Sequence, residues 1–173
     1  MADLTRDEAL ATLAEGQRRV DELLAGVSHD DLVRPATIGG GDWSAKDLIG
    51  HLATWEEASI DAIADVRRGR VPAIETTFGQ EGGVDRYNAE RIPELAALSL
   101  EQVRDRASAT HETLSSLIRD MSDQEWFARV PYETERRRTL ANLLGSITGA
   151  PKRPFGHAFA HLPDLQGFIR TLG

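Results

Sequence analysis

The sequence contains no cysteine, which excludes disulfides, thiolate metal ligands and a cysteine nucleophile. It also lacks any apolar run near the about 20 residues that a membrane-spanning helix needs. Its first residues are acidic where a signal peptide would be basic and then apolar. We therefore expect a cytoplasmic protein with no membrane partner.

Basic residues are the minority, and the formal net charge is −8. Such a chain repels nucleic-acid phosphates, so no nucleic-acid partner is expected. The basic cluster Arg136, Arg137 and Arg138 follows two glutamates. A short charged run of this kind predicts a solvated loop.

No alternating stretch bounded by turn residues indicates a β-strand, and no internal repeat is visible. The 173 residues include 40% apolar and 28% charged side chains, which is typical of a globular domain large enough to bury a core. We predict a single domain over residues 1–173.

Apolar residues recur at helical spacing behind several capping signals. Thr5 with Glu8, and Ser44 with Asp47, have the spacing of capping boxes, and Ser99 opens a third long segment. The predicted segments are a first helix ending near Val27, a loop over 34–41, a second helix from Ser44 to about Val66, a crossover over 71–83, a short helix over 85–91, a third helix after Ser99, a helical turn over 121–126, a short apolar helix over 140–147 and a last helix over 155–172.

Four main helices with a long crossover between the second and the third predict an all-α, four-helix bundle of the up-down-down-up type. One feature of the last helix works against this regularity. Pro163 disfavours helical geometry at Leu162 and lacks a backbone donor, which predicts a kink just after His161.

His157 and His161 are four residues apart, so both imidazoles lie on one helix face and can bind one divalent ion. His51 shares a helix face with Leu48 and Trp55, which directs it toward the interior. Three histidines from two helices resemble the metal sites that bundles build in their cores. The alternative is that hydrogen bonds to backbone or water satisfy the three rings. The remaining histidines, His29 and His111, are predicted to be exposed and structural, respectively.

The stretch Asp42-Trp43-Ser44-Ala45-Lys46-Asp47-Leu48-Ile49-Gly50-His51-Leu52 resembles the second-helix signature of the DinB-like superfamily. The segments 84–88 and 161–165 look most like the branch that contains the colibactin self-resistance proteins. The resemblance implies a four-helix bundle with a metal site made by His51, His157 and His161. It also implies a divalent ion, zinc or nickel, and either thiol S-transfer or hydrolysis of a reactive electrophile.

Contacts with a small-molecule substrate are predicted for Trp55, Tyr87 and Asn88, the last two closing over the site from the crossover. The alternative for Tyr87 and Asn88 is that they anchor the crossover to the core. For Trp43 and Trp55, packing of the start of the second helix against the core is the favoured interpretation, and an aromatic wall of the pocket is the alternative. Glu56 and Glu57 are weak candidates for a general base, and solvated helix surface is the alternative for both. No catalytic residue is identified.

The favoured function is a metal-dependent enzyme that acts on a small electrophile or transfers a small thiol. A non-catalytic bundle that binds or sequesters a small molecule is the alternative. A homodimer with a dormant site is the third reading.

Overall fold

The computed structural model describes residues 4–38, 41–133 and 138–173. Within those ranges the chain forms helices and no strand, so the predicted all-α class is confirmed. The helices are α1 (Arg6–Leu24), α2 (His29–Val33), α3 (Ala45–Arg67), α4 (Ala73–Phe78), α5 (Gly83–Ala96), α6 (Leu100–Asp120), α7 (Asp123–Trp126), α8 (Leu140–Ile147) and α9 (His157–Leu172). The exact four-helix arrangement stays a prediction.

The predicted capping boxes start α1 and α3, and a third starts α6 with Ser99 as its cap. α1 ends at Leu24, three residues before the predicted end near Val27. The chain leaves the helix there because Ala25 is extended and Gly26 has a φ of 80°. Ser28 then caps α2.

The crossover contains more helix than its composition predicts. α4 occupies part of the stretch read as a non-periodic loop, and α5 is longer than the short helix predicted over 85–91. α5 packs on α3, where a Cβ on Gly50 would lie only 2.6 Å from Cδ2 of Leu95. The crossover is therefore docked closely along the second long helix.

The four longest helices pack against one another, α3 along α6 and α1 along both α9 and α6. One group of buried side chains includes Ala9 and Leu13 from the first half of α1, and a second includes Val20 and Leu24 from its second half. None of the helices in the described ranges has the length and apolar character needed to cross a bilayer.

The solvated-loop reading of the basic cluster is wrong for Arg138. Its guanidinium donates to Glu75 at 2.5 Å, and both side chains are mostly buried. Arg136 and Arg137 lie outside the described residues, as do Gly39 and Gly40 of the predicted glycine-rich loop.

Candidate metal centre

His51 lies in the second turn of α3 on the buried face of the helix. In the capping box, Ser44 Oγ accepts from the Asp47 N–H at 3.1 Å, and the Asp47 carboxylate accepts from the Ser44 N–H at 2.9 Å. The helix that starts there places His51 on the same buried face as Leu48, and His51 is only 5% exposed. Local capping thus sets the position of this imidazole.

His157 is the first residue of α9, and its N–H donates to the Thr148 carbonyl at 2.9 Å. The predicted start at Phe155 is two residues early, because Phe155 has a positive φ of 58° and is outside the helix. Gly156 passes so close to Arg153 that a Cβ there would lie 2.4 Å from that side chain. This tight connection ties the first turn of α9 to the end of α8.

The structure brings the three predicted histidines together. Nε2 of His157 lies 3.2 Å from Nε2 of His51 and 3.2 Å from Nε2 of His161. One ring nitrogen from each residue lies within 4.8 Å of the other two, so the cluster can hold a metal ion. Tetrahedral ligands with bonds of 2.0–2.1 Å stand about 3.3 Å apart, which the two short separations match.

Hydrogen bonding among the rings satisfies this cluster poorly. A neutral imidazole nitrogen has either one proton or one lone pair. Nε2 of His157 faces the Nε2 atoms of both His51 and His161, so it cannot form a linear hydrogen bond with each of them. A cation accepts all three lone pairs together, and the donor set therefore suits a metal ion.

Burial holds the rings in the neutral form that binds metals. Burial and, to a smaller extent, the neighbouring histidines lower the pKa of His51 to about 2 and that of His157 to about 3. Burial also lowers the pKa of His161, although Asp164 opposes the shift.

Asp164 is a neighbour of the cluster that sequence reasoning missed. Its Oδ2 lies 3.5 Å from Nδ1 of His161, on the side of the ring opposite the other histidines. A carboxylate at this position favours a proton on Nδ1 and a lone pair on Nε2. The spacing of three residues on one helix was the available signal. α9 runs from His157 to Leu172 with Pro163 inside it, so both side chains belong to one helix. The kink that Pro163 predicts stays a prediction.

Aromatic rings enclose the cluster. The Trp43 ring lies 4.7 Å from the His51 ring, and Trp55 lies 5.9 Å from the His157 ring, between centroids. Phe78 of α4 stacks on Trp55 at 5.9 Å and was not predicted, since it stood alone in a stretch without periodicity. The tryptophans therefore pack the core and line the histidines at once.

Tyr87 and Asn88 lie against Trp55, where α5 crosses α3. The Trp55 indole N–H donates to Asn88 Oδ1 at 3.1 Å, and the Tyr87 ring lies 5.0 Å from the Trp55 ring. The Arg91 guanidinium stands 5.2 Å from the Tyr87 ring centroid, while burial raises the pKa of Tyr87. Asn88 thus anchors the crossover to the aromatic wall of the site.

Glu56 and Glu57 do not form a solvated surface. Glu56 Oε1 lies 2.9 Å from Nδ1 of His111, and Glu57 accepts two hydrogen bonds from Arg106 at 2.6 and 2.5 Å. Both carboxylates face α6. With 100° per residue, Glu56 lies about 140° and Glu57 about 120° around the α3 axis from His51. Neither points toward the histidine cluster, which argues against a general base at these positions.

Comparison with known proteins supports the same fold. Residues 12–162 match the sequence pattern of the DinB superfamily. The structure is similar to that of an uncharacterised protein from Escherichia coli UTI89, with a TM-score of 0.77, 16% identity, and coverage of 97% of this chain and 94% of the other. It is also similar to a protein from Streptococcus pneumoniae, with a TM-score of 0.70, 13% identity, and coverage of 99% and 92%. No curated protein matches this chain.

Proposed function

This chain belongs to the DinB superfamily, and we propose that it is a metal-dependent enzyme that acts on a small electrophilic molecule through His51, His157 and His161. The observation that carries the proposal is the meeting of three Nε2 atoms from α3 and α9. The finer arrangement that we propose around them is a four-helix bundle of α1, α3, α6 and α9.

The ion that we propose is zinc or nickel, both of which accept imidazole ligands. When bound, it would supply Lewis acidity that activates water or a thiol at neutral pH. Three protein ligands leave a coordination position open, as in catalytic zinc sites. The chain has no cysteine, so a thiol nucleophile would have to come from a cosubstrate, and water is the other nucleophile that we propose.

Trp55, Tyr87 and Asn88 are proposed to contact the substrate. The Trp55 ring stands nearly perpendicular to the His157 ring, and an aromatic wall beside a polar centre is typical of small-molecule sites. Asn88 accepts a hydrogen bond from the Trp55 indole, which orients that wall.

A non-catalytic binding bundle is the second candidate. It is favoured by the ion pairs of Glu56 and Glu57, which leave the nearest acids along α3 engaged with α6 instead of the cluster. Such a protein would hold a small molecule against the aromatic wall without turning it over.

The first experiment measures the metal content of the purified protein. We expect about one zinc or nickel ion per chain, as in other three-histidine sites, and its loss from His157→Ala/His161→Ala. His29→Ala is the matched control, because His29 is exposed and far from the cluster in sequence. Wild-type protein that neither carries nor is stabilised by zinc or nickel would contradict the proposal.

The second experiment separates the two reactions and the binding alternative. Metal-loaded protein is incubated with a reactive electrophile such as an epoxide, with and without a low-molecular-weight thiol. Turnover in water alone indicates hydrolysis, and turnover that requires the thiol indicates transfer. Saturable binding of the electrophile without turnover in either condition supports the non-catalytic bundle.

A further inference from the structure

A second cavity, of about 610 Å³, lies between α1 and α6. α3 forms its floor, where the side chains of Ile49 and Leu52 remain partly exposed between the two flanking helices. Val20 and Leu24 form the α1 wall, and Ala107 belongs to the α6 wall. The volume falls within the about 300–1,000 Å³ of typical small-molecule sites.

This cleft is separate from the histidine cluster. None of the cluster histidines lines it, and the α3 residues on its floor lie on the side of the helix turned away from His51. Its lining also excludes every residue of α9 within the described part of the chain. A ligand in this cleft would therefore contact groups that the proposed metal chemistry does not use.

The polar end of the cleft is a mostly buried ion pair between Glu56 and His111. The two side chains are 15% and 19% exposed, and Oε1 of Glu56 lies 2.9 Å from Nδ1 of His111. This hydrogen bond raises the pKa of His111, which favours the charged pair. Among the described residues the Glu56 carboxylate makes no other hydrogen bond, so Oε2 can accept another donor.

The charges of the rim favour a cation. The acidic residues Asp21 and Glu112 and the basic Arg104 are exposed at the mouth of the cleft. With Glu56 and His111 neutralising each other, the cleft retains one surplus negative charge. A buried carboxylate with a spare oxygen behind an acidic rim attracts positively charged groups.

We propose that this cleft binds a small amphiphilic amine. The apolar body packs between Leu24 and Leu52, and the ammonium group donates to the free oxygen of Glu56. The binding is independent of the metal centre, so it does not rest on the enzymatic proposal.

The test uses benzylamine as the cationic probe and benzyl alcohol as its neutral counterpart. Binding is monitored through the backbone amide chemical shifts of the 173-residue chain. We expect saturable binding of benzylamine with shifts in α1, α3 and α6. Benzyl alcohol should bind about tenfold more weakly, the size expected for a hydrogen bond to a charged group.

Two matched pairs of variants locate the site. Glu56→Gln should weaken benzylamine binding about tenfold, whereas Glu57→Gln, which also removes a carboxylate paired with α6, should not. Ser108→Phe narrows the cleft from an exposed position and should abolish binding. Ala109→Phe adds the same ring at the next exposed position, which does not line the cleft, and should leave binding unchanged.

His157→Ala/His161→Ala should bind benzylamine as the wild type does, which excludes binding through the histidine cluster. Thermal unfolding of each variant confirms that it is folded before binding is compared. The proposal is overturned if benzylamine does not bind, if the alcohol binds equally well, or if Glu56→Gln and Glu57→Gln behave alike.

Discussion

We expect the free energy of unfolding of the metal-free protein to fall when the pH is lowered from 8 to 5. His51 and His157 have a pKa of about 2 and about 3 in the folded chain because burial disfavours the charged ring. In the unfolded chain both rings return to the ordinary pKa of 6.5. Folding therefore requires two imidazoles to stay neutral under conditions in which free imidazoles are charged.

The direction of the change in the free energy of unfolding follows from the number of protons that each state binds. Below pH 6.5 the unfolded chain binds a proton at each ring and the folded chain does not, so acid favours unfolding. The full stability is present above pH 6.5 and is lost as the pH falls toward the folded-state values. At pH 5 each ring is about 1.5 units below its unfolded pKa, which corresponds to about 2 kcal/mol per histidine and about 4 kcal/mol for the pair.

Two other histidines change the total loss of unfolding free energy in acid. Burial lowers the pKa of His161, so this ring adds to the loss in acid. The hydrogen bond of Glu56 raises the pKa of His111, so stability from that pair is present below pH 6.5 and is lost as the pH rises through the folded-state value. His111 therefore opposes the trend.

The assay is urea unfolding of chelator-treated protein at pH 8, 7, 6 and 5. His51→Leu should remove about half of the pH dependence, since it removes one of the two strongly shifted rings, about 2 kcal/mol at pH 5. His29→Ala, which removes an exposed histidine outside the cluster, is the control for the loss of a histidine. A wild-type loss below about 1 kcal/mol between pH 8 and 5, or an equal loss in His51→Leu, would refute the reasoning.

Three further substitutions test how the site is supported. Asp164→Ala should weaken zinc binding about 10–100-fold in a chelator competition, and Asp164→Asn, which keeps an acceptor, should restore most of the affinity. Equal zinc affinities of the wild type and Asp164→Ala would show that the carboxylate does not orient His161. Gly50→Ala should destabilise the fold by about 1–3 kcal/mol in urea unfolding because the added methyl overlaps Leu95 of α5. Gly167→Ala on α9 should not, since its methyl would meet only the Arg170 side chain, at 3.8 Å. Equal effects would contradict the close docking of α5. Asn88→Ala should lower the free energy of unfolding by about 1–3 kcal/mol because it leaves the Trp55 indole without its acceptor, and it should speed amide exchange in α5. Unchanged exchange would show that this hydrogen bond does not hold the crossover.

Much of the helical architecture was readable from short-range patterns. The capping boxes at Thr5 and Ser44 predicted the starts of α1 and α3, because a cap depends on residues only three positions apart. Helix ends were less predictable. α1 stopped early at Leu24, where backbone conformation just after the helix decides its length.

The crossover was underpredicted because its helices are stabilised by contacts that are remote in sequence. α4 is only six residues long, and such a short helix depends on tertiary packing more than on its own propensity. α5 extends to Ala96 because Leu95 packs against Gly50 on α3. Neither the packing of α4 nor that of Leu95 on α3 leaves a periodic signal in the local sequence.

By itself, the sequence determined which histidines share a helix face. The four-residue spacing of His157 and His161, and the place of His51 on the apolar face of α3, follow from helical geometry alone. Only the tertiary structure decided that the two faces meet with their Nε2 atoms 3.2 Å apart, since that distance depends on how α9 is tied to α8 and packed across the core. It also decided the partners of the remaining charged groups: Asp164 lies beside the cluster, whereas Glu56 turns away from it toward α6. A helix face can be read from spacing, but the partner of that face is set by the packing of helices far apart in the chain.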